Sequence, residues 1–334
     1  MSIRVESFGL LTTIQDLGRR GFQHLGVGPG GAMDEASHRM ANLLVGNPDP
    51  APSLEMTLTG PNLQFETESM IALCGADLSP TIADQPVPLW RPVMVGAGSL
   101  LKFGRPAQGA RCYLAVAGGF QVPKVMGSAS THLSAGFGGF QGRSLKVGDR
   151  LETGPCSTDR YPTLRKRFHQ SQRPFLGSDW FAPWFRELEF IQPAHIRLIP
   201  GPQWPLLTGE SRHSLLGTAF KVAPNSDRMG IRMQGPSLSL EQPLEMVSSG
   251  VARGTLQLPP DGSLILLMAD RQTTGGYPRL GEVASVDLPK AAQLRPGETL
   301  RFSLISIEEA QELLLRREAR LRDLEEILAD QQTR

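Results

Sequence analysis

Apolar and polar side chains alternate with a period of two along most of this chain, the pattern of strands buried on one face. Arg197-Leu-Ile-Pro, Leu54-Glu-Met-Thr-Leu and Leu63-Gln-Phe-Glu follow it with Gly or Pro close behind, and Leu100-Leu-Lys-Phe and Tyr113-Leu-Ala-Val read likewise. Ser263 to Met268 is apolar at nearly every position and predicts a strand covered on both faces. Turn signals such as Gly60-Pro61, Gly201-Pro202, Gly235-Pro236, Pro260-Asp261-Gly262 and Pro296-Gly297 separate these runs. Strands at this spacing predict a mainly β protein, a barrel or sandwich, rather than βαβ units.

Two stretches switch to the helical period. From Met33, apolar or small residues recur at Ala36, Ser37, Met40, Ala41 and Leu44, and Gly46-Asn47-Pro48 stops the run. The tail from Ile307 to Gln331 carries one stripe of Ala310, Leu314, Leu321, Leu324 and Leu328, flanked by the pairs Glu312/Arg316, Glu318/Arg322 and Arg322/Glu326. That stripe predicts a helix packed on its own domain or seating a partner helix. The halves of the chain also echo each other in order. Leu58-Thr-Gly60-Pro61-Asn-Leu63 resembles Met233-Gln-Gly235-Pro236-Ser-Leu238, and Ala117-Gly118-Gly119-Phe120 resembles Thr274-Gly275-Gly276-Tyr277. Leu145-Lys-Val-Gly148-Asp149-Arg-Leu151 then matches Leu294-Arg-Pro-Gly297-Glu298-Thr-Leu300, so a duplicated β unit is expected. The expected boundaries are a first domain over 1–154, a connector over 155–193, a second domain over 194–306 and a C-terminal helix over 307–334. In the connector, Arg165-Lys166-Arg167 reads as a solvated face, and Trp180, Phe181, Trp184 and Phe185 as aromatic packing over a barrel.

Composition narrows the class. The 334 residues exceed what one core usually fills, 36 Gly and 27 Pro match a chain that turns often, and 40% hydrophobic content suffices for folded cores. Lys+Arg 34 against Asp+Glu 33 leaves a net charge of +1, so the whole chain has no electrostatic footprint for nucleic acid or an anionic membrane. Cys74, Cys112 and Cys156 are widely spaced with no C-x-x-C, which excludes a disulfide framework and a cysteine zinc site and fits a reducing compartment. Met1 to Gly18 has no apolar core of a secretory signal, and the longest apolar run, Leu264 to Ala269, falls far short of the roughly 18 residues of a membrane helix. A soluble, cytoplasmic protein is expected.

Motifs with chemistry are sparse. Gly26-Val-Gly28-Pro-Gly30-Gly31 satisfies G-x-G-x-x-G, but no clear strand precedes it and Pro29 removes a backbone donor, so a dinucleotide site does not follow. A turn with a helix cap, or a loop touching an anionic substrate group, are the readings left open. No G-x-x-x-x-G-K-[ST] and no G-x-S-x-G occur, and the six histidines are scattered without an H-E-x-x-H, so no metal site is expected. Cys112, inside an apolar strand, reads as an inert core thiol. Polar groups gather instead at strand ends: Gln15-Asp16-Leu-Gly-Arg19-Arg20, Ser226-Asp227-Arg228-Met-Gly230, and Asp270-Arg271-Gln272-Thr273-Thr274-Gly275-Gly276-Tyr277. A charge placed where a buried strand surfaces is partly desolvated and acts more strongly. Arginine grips a carboxylate at two points, and an adjacent aspartate orients it or takes a proton. The competing reading is an Asp–Arg pair that fixes the barrel rim.

With these residues in view, the chain resembles a known family over roughly residues 3 to 305. The segments that carry the resemblance are Ile14-Gln-Asp-Leu-Gly-Arg19, Gly30-Gly-Ala-Met-Asp34, Ala41-Asn-Leu-Leu-Val-Gly-Asn-Pro48 and Leu54-Glu-Met-Thr-Leu-Thr-Gly-Pro61. The second half adds Ser226-Asp-Arg-Met-Gly-Ile-Arg232, Gly254-Thr-Leu-Gln-Leu-Pro-Pro260 and Met268-Ala-Asp-Arg-Gln-Thr-Thr-Gly-Gly-Tyr-Pro278. The family is that of the C component of the bacterial three-component 5-oxoprolinase, also called allophanate hydrolase subunit 2, the KipA-like proteins and the biotin-dependent carboxyltransferase family. The resemblance implies two cyclophilin-like β-barrels and a partner, the KipI-like B component, which together with the A component opens 5-oxoproline to L-glutamate using ATP. Alternatives within the resemblance are a carboxyltransferase that moves CO₂ from carboxybiotin to a urea-like substrate, and a regulator that sequesters a KipI-like inhibitor of a sensor kinase. No biotin-carrier Met-Lys-Met occurs, so any biotin arrives on another chain. Two departures stand out: Gly28-Pro-Gly-Gly in place of a Pro-Ser-Gly-like stretch, and a longer tail after Ile307. Under the oxoprolinase reading the candidate catalytic residues are Asp227, Asp270, Thr273 and Thr274, and the candidate substrate contacts are Arg19, Arg228, Arg271, Tyr277, Gly275 and Gly276. Arginine suits the substrate carboxylate, and the threonine hydroxyls and glycine N–H groups suit a developing oxyanion.

Overall fold

The computed structural model describes residues 2–155 and 161–333. Cys156 and the first part of the expected connector lie outside the described residues. The chain divides into two compact units, one comprising residues 1–18, 34–188 and 321–334, the other residues 19–33 and 189–320.

Among the described residues the first unit holds two six-stranded sheets. One runs Arg150–Glu152, Ser2–Ser7, Asn62–Phe65, Leu100–Lys102, Thr81–Ile82, Gln85–Pro86; the other runs Phe175–Gly177, Val93–Val95, Ser69–Asp77, Gln108–Val116, Ser53–Thr57, Leu11–Gln15. Asn62–Phe65 shows the alternation directly, since Leu63 and Phe65 enter the core with Ile3, Val5, Leu73 and Leu114 while Asn62 and Gln64 stay half-buried. Ser69–Asp77 and Gln108–Val116 are covered on both faces, and the helix Glu35–Leu44 packs against both. That helix starts at Asp34, whose carboxylate accepts from Ser37 N and Ser37 Oγ, and Asp34 N donates to Tyr113 Oη at 2.8 Å. It ends where Gly46 takes φ +70°, as the Gly46-Asn47-Pro48 stop signal predicts. Of the expected connector, residues 161–188 belong to this unit and 189–193 to the other: Arg165 pairs with Glu68, Arg167 pairs with Asp179, and Trp184 is buried.

The second unit is a closed barrel of Ala194–Pro200, Arg279–Val283, Thr255–Gln257, Leu264–Leu267, Gly230–Gln234, Phe220–Val222 and Thr299–Leu304, which closes by pairing in parallel with the first strand. Its interior is filled by Ile196, Leu198, Ile231, Leu256, Leu266 and Phe302, among others, so it is a packed core rather than a pore. A short ribbon, Ser249–Gly250 paired with Thr274–Gly275, lies outside the barrel wall.

The internal echo has structural counterparts. Gly60 and Gly235 each follow a strand that pairs antiparallel with a largely buried strand of its unit, Gln108–Val116 and Leu264–Leu267. A Cβ at Gly60 would lie 2.5 Å from the Phe103 ring, and one at Gly235 would lie 2.4 Å from the Phe220 ring, so both positions let a backbone pass an aromatic face. Gly148 and Gly297 turn at φ +86° and +92° just before Arg150–Glu152 and Thr299–Leu304. The closures differ: Ser2–Ser7 pairs antiparallel with Arg150–Glu152 in one unit, whereas Ala194–Pro200 pairs parallel with Thr299–Leu304 in the other.

The tail forms the helix Ile307–Thr333, and Ala310, Leu321 and Leu328 of the expected stripe are buried, whereas Leu315 and Ile327 are exposed. No helix among the described residues is long and apolar enough to cross a membrane.

Candidate functional site

The three polar strand ends singled out in the sequence have different fates. In the first unit, Asp16 closes the strand Leu11–Gln15 and is 4% exposed. Its carboxylate accepts from Gly18 N, Ser128 Oγ, Ala129 N and Ser130 Oγ. Burial pushes this carboxyl up, but the four hydrogen bonds together hold it below the usual range. With both oxygens engaged, Asp16 ties residues 128–130 to the strand end. Arg19, in the second unit, is fully buried and its backbone N–H donates to Pro29 O at 2.8 Å. The glycine loop that follows turns at Gly26, Gly30 and Gly31 with positive φ, and its carbonyls serve as acceptors: Gly31 O for Arg228 and Met33 O for Arg253.

In the second unit the aspartates and arginines exchange the partners that sequence adjacency suggests. Arg228 does not pair with Asp227 but with Asp270, through Nε–Oδ2 at 2.8 Å and Nη2–Oδ1 at 2.9 Å. Arg228 and Asp270 lie just beyond the paired strands Gly230–Gln234 and Leu264–Leu267, and Asp270 N donates to Arg228 O at 2.9 Å, which brings the two side chains together. Arg228 also donates to Gly31 O, and its side chain is 5% exposed, so its fork is filled from within the protein. Asp227 turns inward on its own loop, its Oδ1 accepting from Met229 N and Gly230 N. Removing one member of a buried pair strands the other, at about 3–5 kcal/mol. Asp270→Ala is therefore expected to lower the denaturation midpoint strongly, and Arg228→Met combined with Asp270→Leu to recover most of the loss. A purely catalytic Asp270 would give unchanged stability in the single variant.

The exchange leaves Arg271 without a carboxylate in hydrogen-bond contact. It is 7% exposed, and its Nε donates to Val251 O at 3.3 Å. Burial and the neighbouring Arg253 guanidinium push it down to about 10, while Glu282 pulls the other way; it remains cationic at neutral pH. Arg271 lines a cavity of about 240 Å³ on the outer barrel face, together with Asp227, Arg232, Gln257, Gln272 and Tyr277. Thr273, Thr274, Gly275 and Gly276 belong to the adjoining ribbon segment and do not form the cavity wall, nor do Arg19, Arg228 or Asp270. Thr274 faces Gly250 and Gly275 faces Ser249 across the ribbon, and Thr273 O accepts from Val251 N.

Two residues of this face went unnoticed in the sequence. Gln257 sits outward on Thr255–Gln257, opposite in parity to the core residue Leu256, yet is 1% exposed. Glu282 lies opposite Thr255, whose Oγ1 is 2.8 and 3.0 Å from its two oxygens. Burial pushes the Glu282 carboxyl up, opposed by Thr255, Arg279 and Arg271. Both read in the sequence as ordinary solvent-facing strand positions; the approach of Gly275 of the ribbon to Gln257 is a tertiary contact that alternation does not reveal. Together the cavity offers a cation and amide donors in a partly desolvated wall, an environment suited to an oxyanion.

A model of the carboxyltransferase domain, subdomain A and B, matches residues 25–304. The chain belongs to this carboxyltransferase family. Over 319 residues it is 38% identical to the 5-oxoprolinase C component of Haemophilus influenzae, covering 96% of this chain and 94% of that protein. It is also 38% identical over 309 residues to the 5-oxoprolinase C component of Escherichia coli, covering 92% and 93%. Among solved structures, the K. lactis urea amidolyase superposes with a TM-score of 0.85 at 29% identity over 97% of this chain. The chain spans only 20% of that larger enzyme. The carboxyltransferase domain thus occurs both as a separate chain and as a segment of a long polypeptide.

Proposed function

We propose that this chain is the C component of an ATP-dependent 5-oxoprolinase, inactive alone and acting in a complex that opens 5-oxo-L-proline to L-glutamate. The observation that carries this reading is the 38% identity to two 5-oxoprolinase C components along nearly the full length of both partners in each comparison. The A component and a KipI-like B component are the expected partners. ATP supplies activation of the lactam. The sequence carries no G-x-x-x-x-G-K-[ST] loop to cradle the nucleotide's phosphates. The part of this chain is to hold the substrate, with Arg271 on its carboxylate, Asp227 and Tyr277 beside the ring, and Arg228 braced by Asp270 as framework. Thr273, Thr274, Gly275 and Gly276, on the ribbon beside the cavity rather than in its wall, are left without a direct substrate contact in this reading.

The test is reconstitution. Mixing this chain with its two partner components is expected to give ATP-dependent glutamate release that is lost when any one chain is omitted. Full release without this chain would sink the reading. The likeness to urea amidolyase favours a second one, CO₂ transfer from carboxybiotin to a urea-like acceptor, which requires a biotin-carrying partner and activity on urea.

A further inference from the structure

The outer barrel face beneath the ribbon holds buried polar groups without a partner, and the one carboxylate lining the cavity, Asp227, is turned onto Met229 N and Gly230 N. Gln257 lines the cavity, is 1% exposed, and its Nε2 has no hydrogen-bond partner. Arg279 Nε and Ser249 Oγ are also buried without one. Arg279 Nη1 reaches Gly250 O at 3.2 Å, which places its guanidinium under the same ribbon. Arg271 and Arg253 repel one another here, and Glu282 is the carboxylate whose field opposes them. Glu282 is itself held by Thr255 Oγ1, which also lies 2.9 Å from Ala252 O, so one hydroxyl hydrogen serves two acceptors. Buried donors forfeit their hydration with nothing in return, and such donors beside a half-neutralised cation cluster are completed by a negatively charged acceptor.

We infer that this cavity binds a small monocarboxylate, with its oxygens on the Arg271 guanidinium and Gln257 Nε2 and its apolar part at the mouth beside Tyr277 and Met229. Tyr277 and Met229 are 40% and 46% exposed there, an apolar rim around a cationic floor. A neutral amide or urea could satisfy one donor but would leave the charge uncompensated, and a nucleotide exceeds the space. The inference rests on the oxoprolinase reading for the identity of the carboxylate, and it favours that reading over a urea-like substrate.

The binding experiment uses the assembled three-component complex without ATP, titrated with 5-oxo-L-proline, with 2-pyrrolidinone (the same ring without the carboxylate), with urea and with inorganic phosphate. The expected result is saturable binding of 5-oxo-L-proline, at least 100-fold weaker binding of 2-pyrrolidinone and urea, and no competition by phosphate. Gln257→Leu, which keeps the shape of the wall, is expected to weaken 5-oxo-L-proline binding about 10-fold. Gly275→Ala places a Cβ 2.6 Å from Gln257 Nε2, so it displaces the donor without removing any charge and is expected to weaken binding similarly. Equal affinity for 5-oxo-L-proline and 2-pyrrolidinone, or unchanged affinity in both variants, overturns the inference. If the complex releases glutamate normally while both variants bind as wild type, the inference fails and the oxoprolinase reading stands. If no glutamate is released but carboxylates bind in a Gln257-dependent way, the reverse holds.

Discussion

Replacing Arg271 with alanine leaves the complex assembled and lowers kcat/KM for 5-oxo-L-proline by about 10²–10³-fold, on the order of 3–4 kcal/mol, the usual loss when one side of a desolvated charge pair is truncated. The loss is expected mainly in KM, because Arg271 grips a carboxylate that takes no part in ring opening and holds it equally in ground and transition states. Stability moves in the opposite sense. Arg271 is a buried cation beside Arg253, pushed down to about 10, so its removal relieves repulsion and the variant should melt at or above the wild-type temperature. A variant that assembles, keeps its melting temperature and turns over with wild-type KM would remove Arg271 from the site. Arg228 makes the contrast, since its fork is already filled by Asp270 and Gly31 O, and losing it is expected to cost stability first.

The second large effect is on folding. Asp16→Ala strands two hydroxyls and two backbone N–H groups that now converge on one carboxylate. At about 1–3 kcal/mol for each buried unsatisfied group, partly relaxed by rearrangement, the first unit is expected to lose about 3–5 kcal/mol. The pH dependence has a definite sign. The folded Asp16 carboxyl lies below its unfolded value near 3.9, so its contribution is complete above that value and is lost as pH falls through the folded value. Urea midpoints of wild type and Asp16→Asn should therefore differ most at neutral pH and converge below about pH 4. A constant difference across that range would mean that Asp16 acts through packing rather than as an ionised acceptor.

Much of this was legible in the linear sequence, for identifiable reasons. Period-two patterning placed strands such as Asn62–Phe65 and Ala194–Pro200 because each sheet has one dry face. The Met33 run gave its helix because capping and stop residues bracket it within one short segment. The glycines of the echoed segments were visible because close approach to an aromatic ring excludes any side chain in both units. The cavity was legible only in part. Asp227, Arg271 and Tyr277 announce themselves by residue type, and all three line it. Gln257 and Glu282 do not, because a polar residue alternating with Leu256 or Val283 reads as facing water until the tertiary contacts on that face are known. The pairing of Arg228 with Asp270 depends on how the loops beyond Gly230–Gln234 and Leu264–Leu267 meet, which adjacency in the chain conceals.

A crystal structure of the three-component complex with 5-oxo-L-proline bound in the absence of ATP would show which chain holds the substrate carboxylate. The ligand carboxylate is expected in the barrel cavity of this chain, within hydrogen-bond distance of the Arg271 guanidinium and Gln257 Nε2, with Arg228 still paired to Asp270. A substrate carboxylate held by side chains of a different component, with the Arg271 cavity empty, would contradict it.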